Sequence, residues 1–299
     1  MEMWQLQQRQ GLNLECKEKM SKERIKTFNT KFDGQIYVCY SGGKDSTVLL
    51  HLVRSIFPDT LGVCVGTEPP ENMELVKSTD NCKILYPDKP MNKVIEEYGY
   101  PIISKEVSKC VSRFRNTKSQ KMKEYYLHGS KGKKMGVIPK KWRFLINAPF
   151  KISEKCCEIC KKKPLKRFEK DSGLKPIIGI MASDSEKRKT EYLRKGCNVL
   201  EGKSIQSNPM AFWTDKDVWA YIKKYNLKYS KWYDMGYKRS GCFQCLFGIH
   251  LEKEPNRIQM MSKTHPKLYD YCINKLHYDE VLGFLNIPYT IKDKQETLL

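Results

Sequence analysis

The stretch Ser41-Gly42-Gly43-Lys44-Asp45-Ser46-Thr47 lies between two apolar runs, Gln35-Ile-Tyr-Val-Cys-Tyr40 before it and Val48-Leu-Leu-His-Leu-Val53 after it. The first run is short, β-branched and aromatic, and reads as a buried strand. The second is apolar at most positions, with Arg54 and Ser55 near its end, and reads as a helix. A glycine turn between a strand and a helix N-terminus forms an anion site. Gly42 and Gly43 let the backbone turn tightly and bring N–H groups close to a phosphate. Ser41, Ser46 and Thr47 add hydroxyls, the helix dipole favours negative charge, and Lys44 brings a mobile cation. A bare Gly-Gly pair is usually an ordinary strand-to-helix turn; the full seven-residue string is far more specific. It is not a Walker loop, which needs G-x-x-x-x-G-K-[ST].

The string resembles the PP-loop of the N-type ATP pyrophosphatases and the sulfonucleotide reductases. That resemblance implies an adenine nucleotide α-hydrolase-like fold in which residues 41–47, Asp45 included, hold the phosphates or sulfate of an adenine nucleotide. The neighbouring sequence agrees in class. Strands are expected at 61–65, 83–86 and 176–181, and helices at 72–77, 91–98 and 214–223, the last capped by Thr214 with Asp215 and Asp217 in its first turn. Strands alternating with helices at this spacing predict an α/β fold, a parallel sheet with helices on both faces. Ligands of such sheets bind beyond the strand C-termini. Three segments are expected: an N-terminal helical segment, 1–30; a PP-loop domain, 31–254, with a basic insertion at 105–145; and a helical C-terminal segment, 255–299.

The chain has 55 basic and 34 acidic residues, a net charge of +21. Twelve of the basic residues, against the single acidic Glu124, fall within 109–143, so one stretch carries about half the surplus. An anionic partner is the natural inference. Tyr125, Tyr126 and Trp142 could stack on unpaired bases, and Gly129, Gly132 and Gly136 would keep the centre of the stretch pliant. A charged insertion with no ligand is the plainer alternative. No apolar run approaches the ~20 residues that span a bilayer, and the N-terminus lacks a signal-peptide core. The expectation is a cytoplasmic protein with no membrane partner.

Twelve cysteines in such a chain suggest metal or redox chemistry rather than a disulfide framework. Cys39, Cys64 and Cys82 lie in apolar runs and read as small core residues. Cys156-Cys157-Glu-Ile-Cys160 and Cys242-Phe-Gln-Cys245 are clusters. Two close pairs brought together make a four-thiolate site, which suits zinc or an iron–sulfur cluster equally by ligand count. Spacing alone favours Cys157 and Cys160 with Cys242 and Cys245, the ordinary zinc arrangement. The surrounding residues point elsewhere. Cys156-Cys157-Glu-Ile-Cys-Lys161-Lys-Lys-Pro164-Leu165 resembles the CC-x-x-R-K-x-x-P-L segment of the adenylyl-sulfate reductases. Residues 208–219 resemble their N-P-L-x-x-W-T-x-x-D-V-W, and residues 229–241 lead into the second cluster as theirs do. The resemblance to the phosphoadenosine phosphosulfate and adenylyl-sulfate reductase family runs from about 35 to 248. It implies a 4Fe–4S cluster on Cys156, Cys157, Cys242 and Cys245, with zinc as the alternative. Cys160 stands where the family has Arg and is expected to be a neighbour. Asp184, Ser185 and Arg188 match the family's substrate loop and complete the expected nucleotide site. Lys161 either links cluster and substrate or is a surface lysine.

Three departures stand against the full mechanism. The reductases end in a mobile tail whose cysteine attacks sulfur, whereas residues 286–299 hold none and the last cysteine is Cys272. The family's V-D-T-G becomes Val65-Gly-Thr-Glu68, and Met181 replaces a common substrate-binding Arg. Cys197 or Cys272 would have to act as the nucleophile. The resemblance therefore implies a tailless iron–sulfur PP-loop enzyme, taking ATP, adenylyl sulfate or phosphoadenylyl sulfate, in sulfonucleotide reduction or sulfur transfer with an electron or sulfur donor protein. Two alternatives stay open: a PP-loop ATP pyrophosphatase that adenylates or thiolates nucleic acid, as in DNA phosphorothioation, and a non-catalytic nucleotide- or nucleic-acid-binding module. A homo-oligomer is left open.

Overall fold

The β-branched run before the loop forms the centre of a sheet. In the computed structural model, which describes residues 2–130, 136–202 and 204–291, the chain divides into two compact units. The first comprises 1–86 and 164–243, the second 87–163 and 244–299. Lys131, Gly132, Lys133 and Lys134 of the basic stretch, and residues 292–299 of the tail, lie outside the described residues.

The first unit opens with α1 (Met3–Gly11) and α2 (Leu14–Lys31), followed by β1 (Ile36–Cys39), α3 (Lys44–Arg54), β2 (Gly62–Val65), α4 (Pro70–Lys77) and β3 (Cys82–Leu85). In the second unit follow α5 (Met91–Tyr98), β4 (Ile102–Ile103), α6 (Lys105–Asn116), α7 (Gln120–His128) and the short α8 (Lys155–Cys157). The chain returns to the first unit with α9 (Lys163–Ser172), β5 (Lys175–Ile177), α10 (Glu186–Lys195), β6 (Asn198–Val199), β7 (Gln206–Ser207) and α11 (Asp215–Lys224). It ends in the second with β8 (Leu246–Phe247), α12 (Arg257–Thr264), α13 (Pro266–Asp270) and α14 (Tyr278–Phe284).

The strand order in the first unit is β3-β2-β1-β5-β7-β6. Every pairing is parallel except β6 with β7. This is the expected α/β PP-loop architecture, a mostly parallel sheet with helices on both faces. The two-residue period of a strand explains the layers. Tyr37 and Val63 face one side, where Phe168 of α9 covers them. Ile36, Val38 and Cys64 face the other, in a core with Leu49 and Leu52 of α3, Ile25 and Phe28 of α2, and Trp213. Because α3 begins at Lys44, residues 44–47 form its first turn rather than a loop ahead of it.

Two buried polar links fasten α2 to the start of α11. Trp213 Nε1 donates to Ser21 Oγ at 3.0 Å, and Ser21 Oγ donates to the Pro209 carbonyl at 2.9 Å. Lys17, almost wholly buried, donates to Asp217 Oδ2 at 2.7 Å and to the Gln10 carbonyl at 2.7 Å. The same Asp217 oxygen accepts the Thr214 N–H and hydroxyl, each at 2.7 Å, and so caps α11.

In the second unit β4 and β8 pair in parallel, Ile102 opposite Leu246 and Ile103 opposite Phe247. The Arg257 guanidinium donates to the carbonyls of Cys245 at 3.1 Å and Phe247 at 3.2 Å, which fixes the backbone around Cys245. No helix among the described residues is long and apolar enough to cross a membrane.

Lys17→Met leaves Asp217 without its cation in a nearly dry site. Breaking a buried pair by removing one partner costs about 3–5 kcal/mol, so the urea midpoint should fall steeply with little change in slope. A midpoint unchanged from that of the parent chain would show that the pair contributes nothing.

Candidate functional site

At the C-terminal end of β1 the backbone passes through Gly42 at φ +70°, and a Cβ there would stand 2.4 Å from the Asn72 carbonyl oxygen. A Cβ on Gly43 would stand 2.4 Å from Ser240 Oγ. Only glycine fits at either position without displacing its neighbour. Gly43 caps α3 with no side-chain bond, and helix geometry leaves the N–H groups of the first turn without partners inside the helix. The hydroxyls hold the turn together. Ser46 Oγ donates to the Gly43 carbonyl at 2.9 Å and accepts the Ser41 N–H at 3.2 Å, and Thr47 Oγ1 donates to the Gly43 carbonyl at 3.1 Å. Asn72 Nδ2 donates to the Ser41 carbonyl at 3.1 Å, while its buried Oδ1 has no hydrogen-bond partner among the described residues.

Lys44 is not the free cation that the sequence suggested. It is 5% exposed, and its ammonium contacts Asp45 at 2.8 Å and Asp215 at 2.5 Å. Burial works against its charge, but the two carboxylates outweigh burial and raise its pKa. Burial also pushes the Asp45 carboxyl up against the pull of Lys44, with Asp184 and Asp215 adding repulsion. Asp184 carries Arg188 as an ion pair, and its Oδ2 accepts the Met181 N–H at 3.2 Å. Ser185 caps α10 by accepting the Arg188 N–H at 3.3 Å. The structure thus brings Asp45, Asp184 and Asp215 near one another about the first turn of α3. Asp215 and Ser240 were not singled out from the sequence as parts of this site. Their only sequence signals were a helix-start aspartate and a position just ahead of Gly241-Cys242.

Cys156, Cys157, Cys160 and Cys245 belong to the second unit, and Cys242 lies near the end of the first. Around Cys157 the chain passes from α8 into a π turn, Glu158–Lys162. The Cys157 thiol is lowered to about 6, chiefly by the hydrogen bond from the Cys156 side chain and then by the Lys105 and Lys161 charges, against the effect of burial. Lys161 is therefore part of the thiolate's surroundings, and Lys105, at the start of α6, was missed. Burial pushes the Cys245 thiol up, with the Cys157 charge adding to it. Cys160 is pushed up by burial and then by Cys157. Among the described residues no three His, Cys, Asp or Glu side chains converge as around a single metal ion. The donors are nonetheless all sulfur and include a readily formed thiolate, the donor chemistry that an iron–sulfur cluster takes.

The other expected residues fare differently. Cys272 is fully buried and its thiol is pushed up to about 12; burial pushes Cys197 up as well. Neither presents the exposed thiolate that attack on sulfur needs. Tyr126 is buried and so is not a stacking platform, whereas Trp142 lies partly exposed, edge-on to His250 at 5.0 Å. Two basic residues of 109–143 serve the fold: Arg115 donates to the carbonyls of Phe150 and Ala148, and Arg143 to that of Leu127.

Residues 35–246 match the phosphoadenosine phosphosulfate reductase domain. The chain belongs to that family. It is 27% identical over 256 residues to an uncharacterized protein of Methanocaldococcus jannaschii, a match covering 84% of this chain and 43% of that protein. The chain thus spans less than half the length of that relative. It is 29% identical over 225 residues to an adenosine 5'-phosphosulfate reductase of Bacillus mycoides, covering 74% of this chain and 77% of the reductase. Among solved structures it is similar to phosphoadenylyl-sulfate reductase from Candida auris in a phosphate complex, with TM-score 0.42, 16% identity, and coverage of 74% of this chain and 87% of that one.

Because the folded-state pKa of Cys157 is depressed, its thiolate fraction passes one half near pH 6 and dominates above it. In metal-free protein at pH 7, iodoacetamide should label Cys157 faster than any buried thiol, with a rate midpoint near pH 6. Lys161→Met should move that midpoint up. Labelling that begins only near the ordinary thiol range would contradict the lowered pKa.

Proposed function

We propose that this protein is an iron–sulfur PP-loop enzyme that binds an adenine nucleotide or sulfonucleotide and works in sulfonucleotide reduction or sulfur transfer. The observation that carries this reading is the turn at 41–47, at the C-terminal end of β1, in a chain of the reductase family. In this reading the N–H groups of α3's first turn and the Lys44 ammonium receive the phosphate or sulfate. Ser46 and Thr47 keep the turn in shape. Asp184, Ser185 and Arg188 complete the nucleotide site, Arg188 turning from Asp184 toward the ligand. Cys156, Cys157, Cys242 and Cys245 would hold a 4Fe–4S cluster, which when bound supplies electron-transfer chemistry. Lys105 and Lys161 then offset the negative charge of the thiolates. Zinc is the competing occupant.

A second reading rests on the burial of Cys197 and Cys272, which leaves the reductase route without either of its candidate nucleophiles. In it, ATP is cleaved to AMP and pyrophosphate, adenylating an oxygen of a nucleic acid that sulfur then replaces. The positive surplus of 109–143 would meet the phosphate backbone.

A panel of ATP, adenylyl sulfate and phosphoadenylyl sulfate, scored for binding and for sulfite or pyrophosphate release, separates the two. Sulfite release with an electron donor supports reduction; pyrophosphate release from ATP supports adenylation. Lys44→Ala should weaken nucleotide binding by at least tenfold while the fold is kept, because a charge-assisted contact is worth about 1.5–3 kcal/mol. Undiminished affinity in that variant removes the phosphate-loop reading.

Protein purified without oxygen should be brown and carry about four irons per chain, as a cubane requires. Serine at Cys156, Cys157, Cys242 or Cys245 should bleach it, and Cys160→Ser should not. One zinc per colourless chain, lost in Cys160→Ser, would favour the double C-x-x-C site.

A further inference from the structure

At the first turn of α3 the donors of Lys44 already have partners within the protein. The Lys44 N–H, first of α3, donates to the Tyr233 hydroxyl at 3.0 Å. That hydroxyl donates in turn to Ser240 Oγ at 3.0 Å. Ser240 Oγ presses so near the Gly43 Cα that a Cβ there would lie 2.4 Å from it. The Tyr233 ring stands edge-on to Trp219 of α11, centroids 5.5 Å apart, and the first turn of the same helix sends Asp215 to the Lys44 ammonium. Both donors of Lys44, amide and ammonium, are therefore engaged from outside the loop. A neutral phenol oxygen occupies the position at a helix N-terminus that suits an anion.

We propose that Tyr233 and Ser240 set the affinity and entry rate of the phosphate site: the Tyr233 hydroxyl is a stand-in for a phosphate oxygen on the Lys44 N–H, and a nucleotide binds by displacing it. This rests on the reading of residues 41–47 as a phosphate loop. The exchange runs downhill because an anionic acceptor forms a stronger bond with the amide than a phenol does. Ser240 holds the hydroxyl in place, so removing either end of the Tyr233–Ser240 bond loosens the stopper.

The test uses the full chain, titrated calorimetrically and by stopped flow with ATP, adenylyl sulfate and inorganic pyrophosphate. Tyr233→Phe keeps the ring against Trp219 and deletes only the oxygen. It should lower Kd for each bound probe by roughly three- to tenfold, the span of one neutral hydrogen bond. Most of the gain should appear as faster association, which a loosened fold would not produce. Ser240→Ala should move both quantities the same way by less. Weaker or unchanged binding in Tyr233→Phe overturns the proposal, weaker binding marking the hydroxyl as a ligand of the phosphate. Lys44→Ala separates the two failures. If it loses binding while Tyr233→Phe changes nothing, the loop reading stands and this proposal falls. If Lys44→Ala also binds as the parent does, the loop reading falls and takes the proposal with it.

Discussion

The turn between β1 and α3 has no room for a side chain. Gly42 lies against the backbone of Asn72 and Gly43 against Ser240, so two different segments close on adjacent residues of one turn. The elements around it are arranged to keep that turn narrow. The buried strand delivers it to the C-terminal end of the sheet, α3 begins at it with the Lys44 N–H bonded to the Tyr233 hydroxyl, and the Ser46 and Thr47 hydroxyls both bond the Gly43 carbonyl. A larger residue at either glycine would push the backbone away from whatever it cradles.

The charge around that turn is nearly balanced although the chain as a whole carries +21. Lys44 is matched by Asp45 and Asp215, and Arg188 by Asp184. An anion entering here competes with carboxylates already in place, so its binding free energy is the difference between two sets of charge-assisted contacts. Overall charge therefore speaks to long-range attraction, while the local pairs decide what stays bound.

The α/β fold was legible because its signals are local. A β-branched run, a glycine pair and an apolar helix lie adjacent in sequence, and no distant residue is needed to interpret them. The family was legible for the same reason, through ordered short motifs. What escaped depends on residues far apart in the chain: Asp215 on Lys44, Tyr233 over the α3 amide, Lys105 beside Cys157. Such pairings are set by how helices stack, and a charged or aromatic residue carries no mark of the partner that it will meet. Lys44 shows the difference well. The motif drew attention to it, but its burial and its two carboxylates carry no local mark. The burial of Cys197 and Cys272 was hidden in the same way, since a cysteine in the sequence looks alike whether its sulfur faces solvent or the core. The division into two compact units also has no local signature.

The clasp between α2 and α11 reaches further than stability. Lys17 fixes Asp217, Asp217 fixes the cap at Thr214, and the residue next to that cap in sequence is Asp215, the carboxylate on Lys44. Residues 14–31 therefore cannot be trimmed away as a dispensable leader when shorter versions are made. A chain begun after α2 would uncover Trp213 and release the helix end that delivers a counter-ion to the loop. A defect at the loop in such a truncation would then report a misplaced helix start at Asp215, far downstream of a cut after Lys31.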